Sequence, residues 1–208
     1  MTQSSFYLPF LTPAQIESVA VGYLVQSHNV DTIPIPIEDI IELYEKIDVI
    51  PVNELSRGGF DAFTAKDQTQ IWIDNDLFTN PNPNRLRFTL AHELAHIKLH
   101  DAFFQTANYD SLVEYKAFME SINEKQLQRM EIQADIMAGY LLVPTHHLEA
   151  SYTRMLKVLD DNNIDIAELN PRTLGYIAKL IADDFQVSSG VIHRRAVNLG
   201  YWKDLPQS

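Results

Sequence analysis

The chain reads as an α+β protein in which a small three-stranded sheet stands beside mostly helical structure, with a helix-turn-helix-like pair at its C-terminal end. Three observations predict this. Three short runs of strand-forming residues lie close together between residues 49 and 73. Apolar residues recur at helical spacing over most of the remainder. The 208 residues, 46% hydrophobic and 21% charged, can bury a core without staples, and the chain has no cysteine with which to make one.

Taken in order, Thr12-Pro13-Ala14-Gln15 is a helix start. Thr12 caps, Pro13 suits the first helical position and Gln15 completes a capping box. Ile16, Val19, Tyr23 and Leu24 then predict a helix over residues 13–27. Pro34 and Pro36 force extended backbone before a second helix over 38–46, with Ile40, Ile41 and Tyr44 facing inward. Strands are predicted at 49–52, 60–64 and 70–73, the last two joined by the polar turn Ala65-Lys66-Asp67-Gln68. The Asn/Pro run at 80–84 ends one element and caps a long helix over 85–100. Further helices are expected at 124–142, stopped by Pro144, and at 145–156. A polar loop follows at 160–163. Two last helices, 172–184 and 188–199, flank a tight turn at Phe185-Gln186-Val187, with Gly200 as a stop. Residues 1–170 are expected to form the main domain and residues 171–208 a small helical subdomain.

The net charge is −12. A chain so acidic is repelled by phosphate, which argues against nucleic acid or anionic membrane as a general partner. The charge is uneven. Residues 171–208 hold five basic and three acidic side chains and are net +2, which leaves −14 on residues 1–170. No apolar run is long enough to span a bilayer. The start Met1-Thr2-Gln3-Ser4-Ser5 lacks the basic residues of a secretory leader. A cytoplasmic protein is expected.

The chemistry is concentrated in His92-Glu93-Leu94-Ala95-His96. Residues four apart sit about 40° apart around a helix and about 6 Å apart along it, so both imidazoles can bind one small cation. Zinc accepts such nitrogen ligands together with a carboxylate, and Glu93 lies where it can take a proton from an attacking water. His100 lies about 12 Å up the axis from His92, too far for the same ion on a straight helix. It is read as a supporting or structural residue. The third ligand is assigned to Glu131 in Glu131-Ile132-Gln133-Ala134-Asp135, with Asp135 on the same face to fix the tautomer of a ligating imidazole. Alanines recur at 91 and 95 and at 134 and 138, which would let the two helices approach closely. Asp110, Glu114, Glu120 and Glu124 are the rivals to Glu131.

A His2Glu set of this kind resembles the gluzincin peptidases. The run from Arg85 to His96, the segment from Glu131 to Pro144 ending in Leu-Leu-Val-Pro, and Ile35-Pro36-Ile37 narrow the resemblance to the ImmA/IrrE family of small bacterial and phage metallopeptidases. The match covers residues 34–144 well. It implies a zincin-like fold and a zinc-dependent endopeptidase whose usual target is a helix-turn-helix transcriptional repressor, cut to relieve repression in stress or mobile-element regulation. Residue by residue it places His92 and His96 as histidine ligands, Glu93 as catalytic base and Glu131 as third ligand. Ala95 stands where many members have Gly, and no large sensor domain follows.

Several points stay open at this stage. Tyr109, Tyr115, Tyr140, Tyr152, His146 and His147 are possible donors to a developing oxyanion. Residues 60–64 or 70–73 could supply a sheet edge for an extended substrate. The C-terminal pair, with Arg194 and Arg195 on its second helix, resembles a DNA reader, but scaffold or target docking is favoured because the tail is only +2. A non-catalytic protein that sequesters a repressor is the alternative. Oligomeric state is not legible.

Overall fold

The computed structural model describes residues 7–166 and 169–202. The expectation about a leader at Met1–Ser5 lies outside them. Helix α1, Pro13–Gln26, begins with the expected capping box: Thr12 accepts from the Gln15 amide while Gln15 reaches back to the Thr12 amide. Its buried face is Ile16, Ala20, Tyr23 and Leu24. Val19 faces outward instead, 40% exposed. Helix α2, Ile37–Asp39, widens at once into a π-turn over Ile40–Tyr44. That wider turn breaks the 3.6-residue register. Ile40 and Ile41 are buried as expected, but Tyr44 is not, and its ring lies edge-on to Tyr23.

The sheet has three strands, β1 (Asp48–Val52), β2 (Ala62–Thr64) and β3 (Gln70–Asp74), in the order β1-β3-β2. β1 runs parallel to β3, with Val49 opposite Ile71, and β2 runs antiparallel to it, with Phe63 opposite Trp72. The hairpin turn uses Gln68 in the left-handed region, and the Asp67 carboxylate accepts from the amide and hydroxyl of Thr69. Those bonds hold the Asp67 carboxyl below the usual carboxylate range. Because β3 is central, it has no free edge for a substrate. β2 has one, and it faces the long helix.

A short α3 (Asn75–Phe78), capped by Asp74, leads to α4 (Asn84–Leu99). After it come α5 (Asp101–Thr106) and α6 (Leu112–Ser121), neither of which was anticipated. α7 (Glu124–Leu142) has its expected bounds, whereas α8 (Thr145–Asp161) runs five residues beyond expectation. The Asn162 side chain donates to the Val158 carbonyl and ends it. α9 (Pro171–Phe185) and α10 (Ser189–Asn198) are joined by a turn with Gln186 left-handed, and Gly200 is left-handed after α10.

Two apolar clusters result. The larger joins α1, the sheet, α4, α7 and the C-terminal pair, including Phe185, Ile192 and Trp202. The smaller gathers Leu8, Leu55 and Phe63 with Phe103, Tyr109, Tyr115 and Met119 from the α5–α6 region. The C-terminal pair is tied down through its turn: Asn84 donates to the Val187 carbonyl and Arg87 to that of Gln186. Arg87 also donates to the Ile35 carbonyl at 2.6 Å and pairs with Glu38 at 2.8 Å. This buried guanidinium joins three distant segments. Arg87→Leu strips partners from two carbonyls and a half-buried carboxylate at once, and is expected to cost about 2–4 kcal/mol in urea unfolding. A loss below about 0.5 kcal/mol, the scale of an ordinary surface change, would show that the bridge is unimportant.

Candidate functional site

α4 carries His92, Glu93 and His96 on the side that meets α7 and β2. α7 presents Glu131 and Asp135. The two helices pack against each other with Ala91, Ala95, Ala134 and Ala138 all fully buried. As a result the Nε2 atoms of His92 and His96 lie 2.9 Å apart, and the Glu131 carboxylate is 3.2 Å from the first and 3.7 Å from the second. Among the described residues this is the one group of three His, Asp or Glu side chains whose donor atoms fall within 4.8 Å of one another. Asp135 accepts from His92 Nδ1 at 3.0 Å. The rivals stand apart from the group: Asp110 pairs with Lys66 at 2.7 Å, and Glu114 accepts from the Asp110 amide.

Glu93 is almost wholly buried and accepts a 2.8 Å hydrogen bond from the Thr64 hydroxyl at the end of β2. Burial raises its pKa, while the His92 charge and the Thr64 bond work the other way. Thr64 was not anticipated, since nothing in Ala62-Phe63-Thr64 marks a residue that orients a carboxylate from another element. The Tyr109 hydroxyl in turn donates to the Thr64 carbonyl at 2.8 Å and steadies the strand end.

The surroundings act on the imidazoles in opposite directions. Burial opposes protonation of His92, but its bonds to Asp135 and Glu131 outweigh that and hold its pKa up at about 10. Burial and the neighbouring His92 charge push His96 well below its ordinary value. Burial likewise takes His100 down to about 4. His100 is no part of the donor group. It lies behind His96, Nδ1 to Nδ1 at 3.0 Å.

His92, Glu93, His96, Glu131 and Asp135 line a cleft of about 520 Å³. Gly59, Phe60 and Ala62 before and on β2, Phe88 and Thr89 from α4, and Tyr115 and Met119 from α6 also line it, with the Phe60 ring edge-on to Tyr115 at 5.1 Å. Of the six possible oxyanion donors, Tyr115 is the one that lines this cleft. Its ring is stacked on Phe63 at 4.5 Å, and burial together with Glu93 and Glu131 keeps its hydroxyl protonated. Tyr109 is committed to Thr64, Tyr152 to the Tyr201 carbonyl, and His147 to the Val30 carbonyl. Tyr140 lies beneath Arg195, and His146 stacks on His147.

A family model for the IrrE N-terminal-like peptidase domain matches residues 58–197. The chain belongs to that family. No curated protein matches the chain at a significant level. The IrrE N-terminal-like peptidases are metallopeptidases, and the α+β architecture here is zincin-like. The matched span runs through the C-terminal pair as well as the motif helices.

The donor set suits the ion such a peptidase uses. Two imidazole nitrogens and one carboxylate oxygen converge from two helices, and His92 has its other nitrogen engaged by a carboxylate, as ligating histidines ordinarily do. Among the described residues no helix is long and apolar enough to cross a membrane. Asp135→Ala removes the partner of His92 without touching a donor. It is expected to weaken zinc binding about 10–100-fold in competition with a chelator, and unchanged binding would show that His92 does not hold the ion.

Proposed function

We propose that this protein is a zinc-dependent endopeptidase that cuts a helix-turn-helix transcriptional repressor in the cytoplasm, relieving repression in stress or mobile-element regulation. The observation that carries the reading is the convergence of His92, His96 and Glu131 beside the buried, hydrogen-bonded Glu93. Family membership supports peptide-bond chemistry. The repressor rests on the resemblance to ImmA/IrrE peptidases and on charge: a body at −14 suits a basic, DNA-binding partner.

His92, His96 and Glu131 would hold the ion. When bound, it supplies a Lewis acid that polarises a peptide carbonyl and makes water a usable nucleophile near neutral pH. Glu93 takes a proton from the attacking water and later gives it to the leaving amine. Thr64 keeps that carboxylate aimed into the cleft. Tyr115 donates to the oxygen on which charge develops. The free edge of β2 holds the substrate extended, by main-chain hydrogen bonds.

Of the two arginines that the DNA-reading alternative invokes, one is committed inside the fold. Arg195 is 4% exposed, lies over the Tyr140 ring at 4.0 Å and donates to Thr145 and the Val143 carbonyl. Arg194 leans toward Asp135 at 3.7 Å.

Purified protein loaded with zinc is expected to convert a helix-turn-helix repressor into two fragments, and a chelator should stop this. A stable complex without fragments would favour sequestration instead. Glu93→Gln should keep its zinc and lose at least about 10²-fold in rate. Cleavage by that variant at the wild-type rate would overturn the mechanism. Tyr115→Phe should lower kcat about 10–10³-fold with little change in KM. A change confined to KM would assign Tyr115 to substrate binding alone. Raising the salt concentration should slow cleavage of a basic repressor, and salt-independent cleavage would remove the charge argument.

A further inference from the structure

Behind His96 runs a line of hydrogen bonds that the proposed peptidase chemistry does not use. His100, 1% exposed, caps the C-terminal end of α4. Its Nδ1 is 3.0 Å from His96 Nδ1, and its Nε2 is 3.1 Å from Gln133 Oε1. Gln133, 2% exposed on α7, directs its Nε2 to the Pro9 carbonyl at 3.0 Å. Pro9 belongs to the N-terminal segment laid across α7, where the Leu8 amide donates to Gln126 and the Leu8 carbonyl accepts from Arg129.

Each link admits one direction. A carbonyl only accepts, so the Pro9 oxygen takes the nitrogen of Gln133 and turns the amide oxygen toward His100. That oxygen also only accepts, so His100 carries its hydrogen on Nε2 and shows a lone pair at Nδ1. Two ring nitrogens 3.0 Å apart need one hydrogen between them, and it must come from His96 Nδ1. The lone pair of His96 is thereby assigned to Nε2, the atom facing His92 and Glu131.

We propose that His100, Gln133 and the Pro9 carbonyl form a positioning relay that locks His96 in its Nδ1–H tautomer, so that the N-terminal segment helps set how tightly the cleft holds its ion. None of the three lines the cleft. The gain is preorganisation: a ligand already in the right tautomer and rotamer loses less on binding. The inference rests on the reading of His96 as a ligand.

The test compares zinc affinity, by chelator competition, in the wild type, His96→Ala, His100→Leu, His100→Asn and Gln133→Met. His100→Leu removes the acceptor and should weaken binding about 10–100-fold. His100→Asn restores an oxygen near the Nδ1 position and should recover most of that loss. Gln133→Met should fall between. His100→Leu at wild-type affinity, or His100→Asn as weak as His100→Leu, would overturn the relay. If His96→Ala keeps full affinity, the ligand reading itself fails, and the two failures are thereby told apart. A second measurement needs no variant. In metal-free wild-type protein, ¹H–¹⁵N correlation spectra of the imidazoles should show His96 protonated at Nδ1 and bare at Nε2. The opposite tautomer would overturn the proposal even if His100→Leu does not fold.

Discussion

The buried alanines of α4 and α7 set the terms for the rest of the site. A larger side chain at Ala91, Ala95, Ala134 or Ala138 would push the helix axes apart, and helix packing distances follow the side chains at the contact. A glutamate reaches only a few ångströms from its helix. With the axes close, Glu131 comes within 3.2 Å of one imidazole and 3.7 Å of the other. The same approach brings Gln133 to His100 and Asp135 to His92. Three carboxylate or amide contacts between two helices thus depend on one apolar seam. The sheet contributes a second constraint from β2, where Thr64 fixes the buried Glu93 carboxylate.

Much of this was legible because its signals are local. The capping box at Thr12 and Gln15, the alternating hairpin runs and the helical spacing on α4 and α7 all operate within a few residues. The i, i+4 pairing of His92 with His96 and of Glu131 with Asp135 puts two chemical groups on one face by geometry alone. What escaped was of two kinds. α6 carries a local signal: Ser111 accepts from the Glu114 amide, and Glu114 reaches back to the Asp110 amide, an arrangement close to a capping box. Thr64 and Gln133 carried none. A threonine ending a three-residue strand and a glutamine inside a helix acquire their roles only from what the fold brings opposite them. The π-turn after α2 belongs with these, since its wider register made Tyr44 look inward when it is exposed.

The C-terminal pair has the backbone its sequence predicts, and its contacts are those of a scaffold. Two helices and a tight turn are present where expected. Of the two arginines on the second helix, Arg195 is spent internally, on Thr145 and the Val143 carbonyl, while Arg194 is largely exposed and leans toward Asp135. The turn carbonyls that a free helix pair would leave to water are capped by Asn84 and Arg87 from the start of α4. Through those bonds, and through Phe185 and Ile192 in the larger cluster, the pair steadies the helix that bears the motif.

The two apolar clusters have a thermodynamic consequence. Ile97 packs against both, and the cleft is lined from both: Phe88 and Ala62 belong to the larger cluster, Phe60, Tyr115 and Met119 to the smaller. A peptide seated between them adds contacts to both clusters at once. Occupancy and folding are then linked equilibria: a ligand that binds only when both walls are in place raises the melting temperature in proportion to the logarithm of its concentration. The α5–α6 wall, resting on the smaller cluster, is the part of the molecule with most to gain. A peptide held there would in that sense be a structural component of the fold.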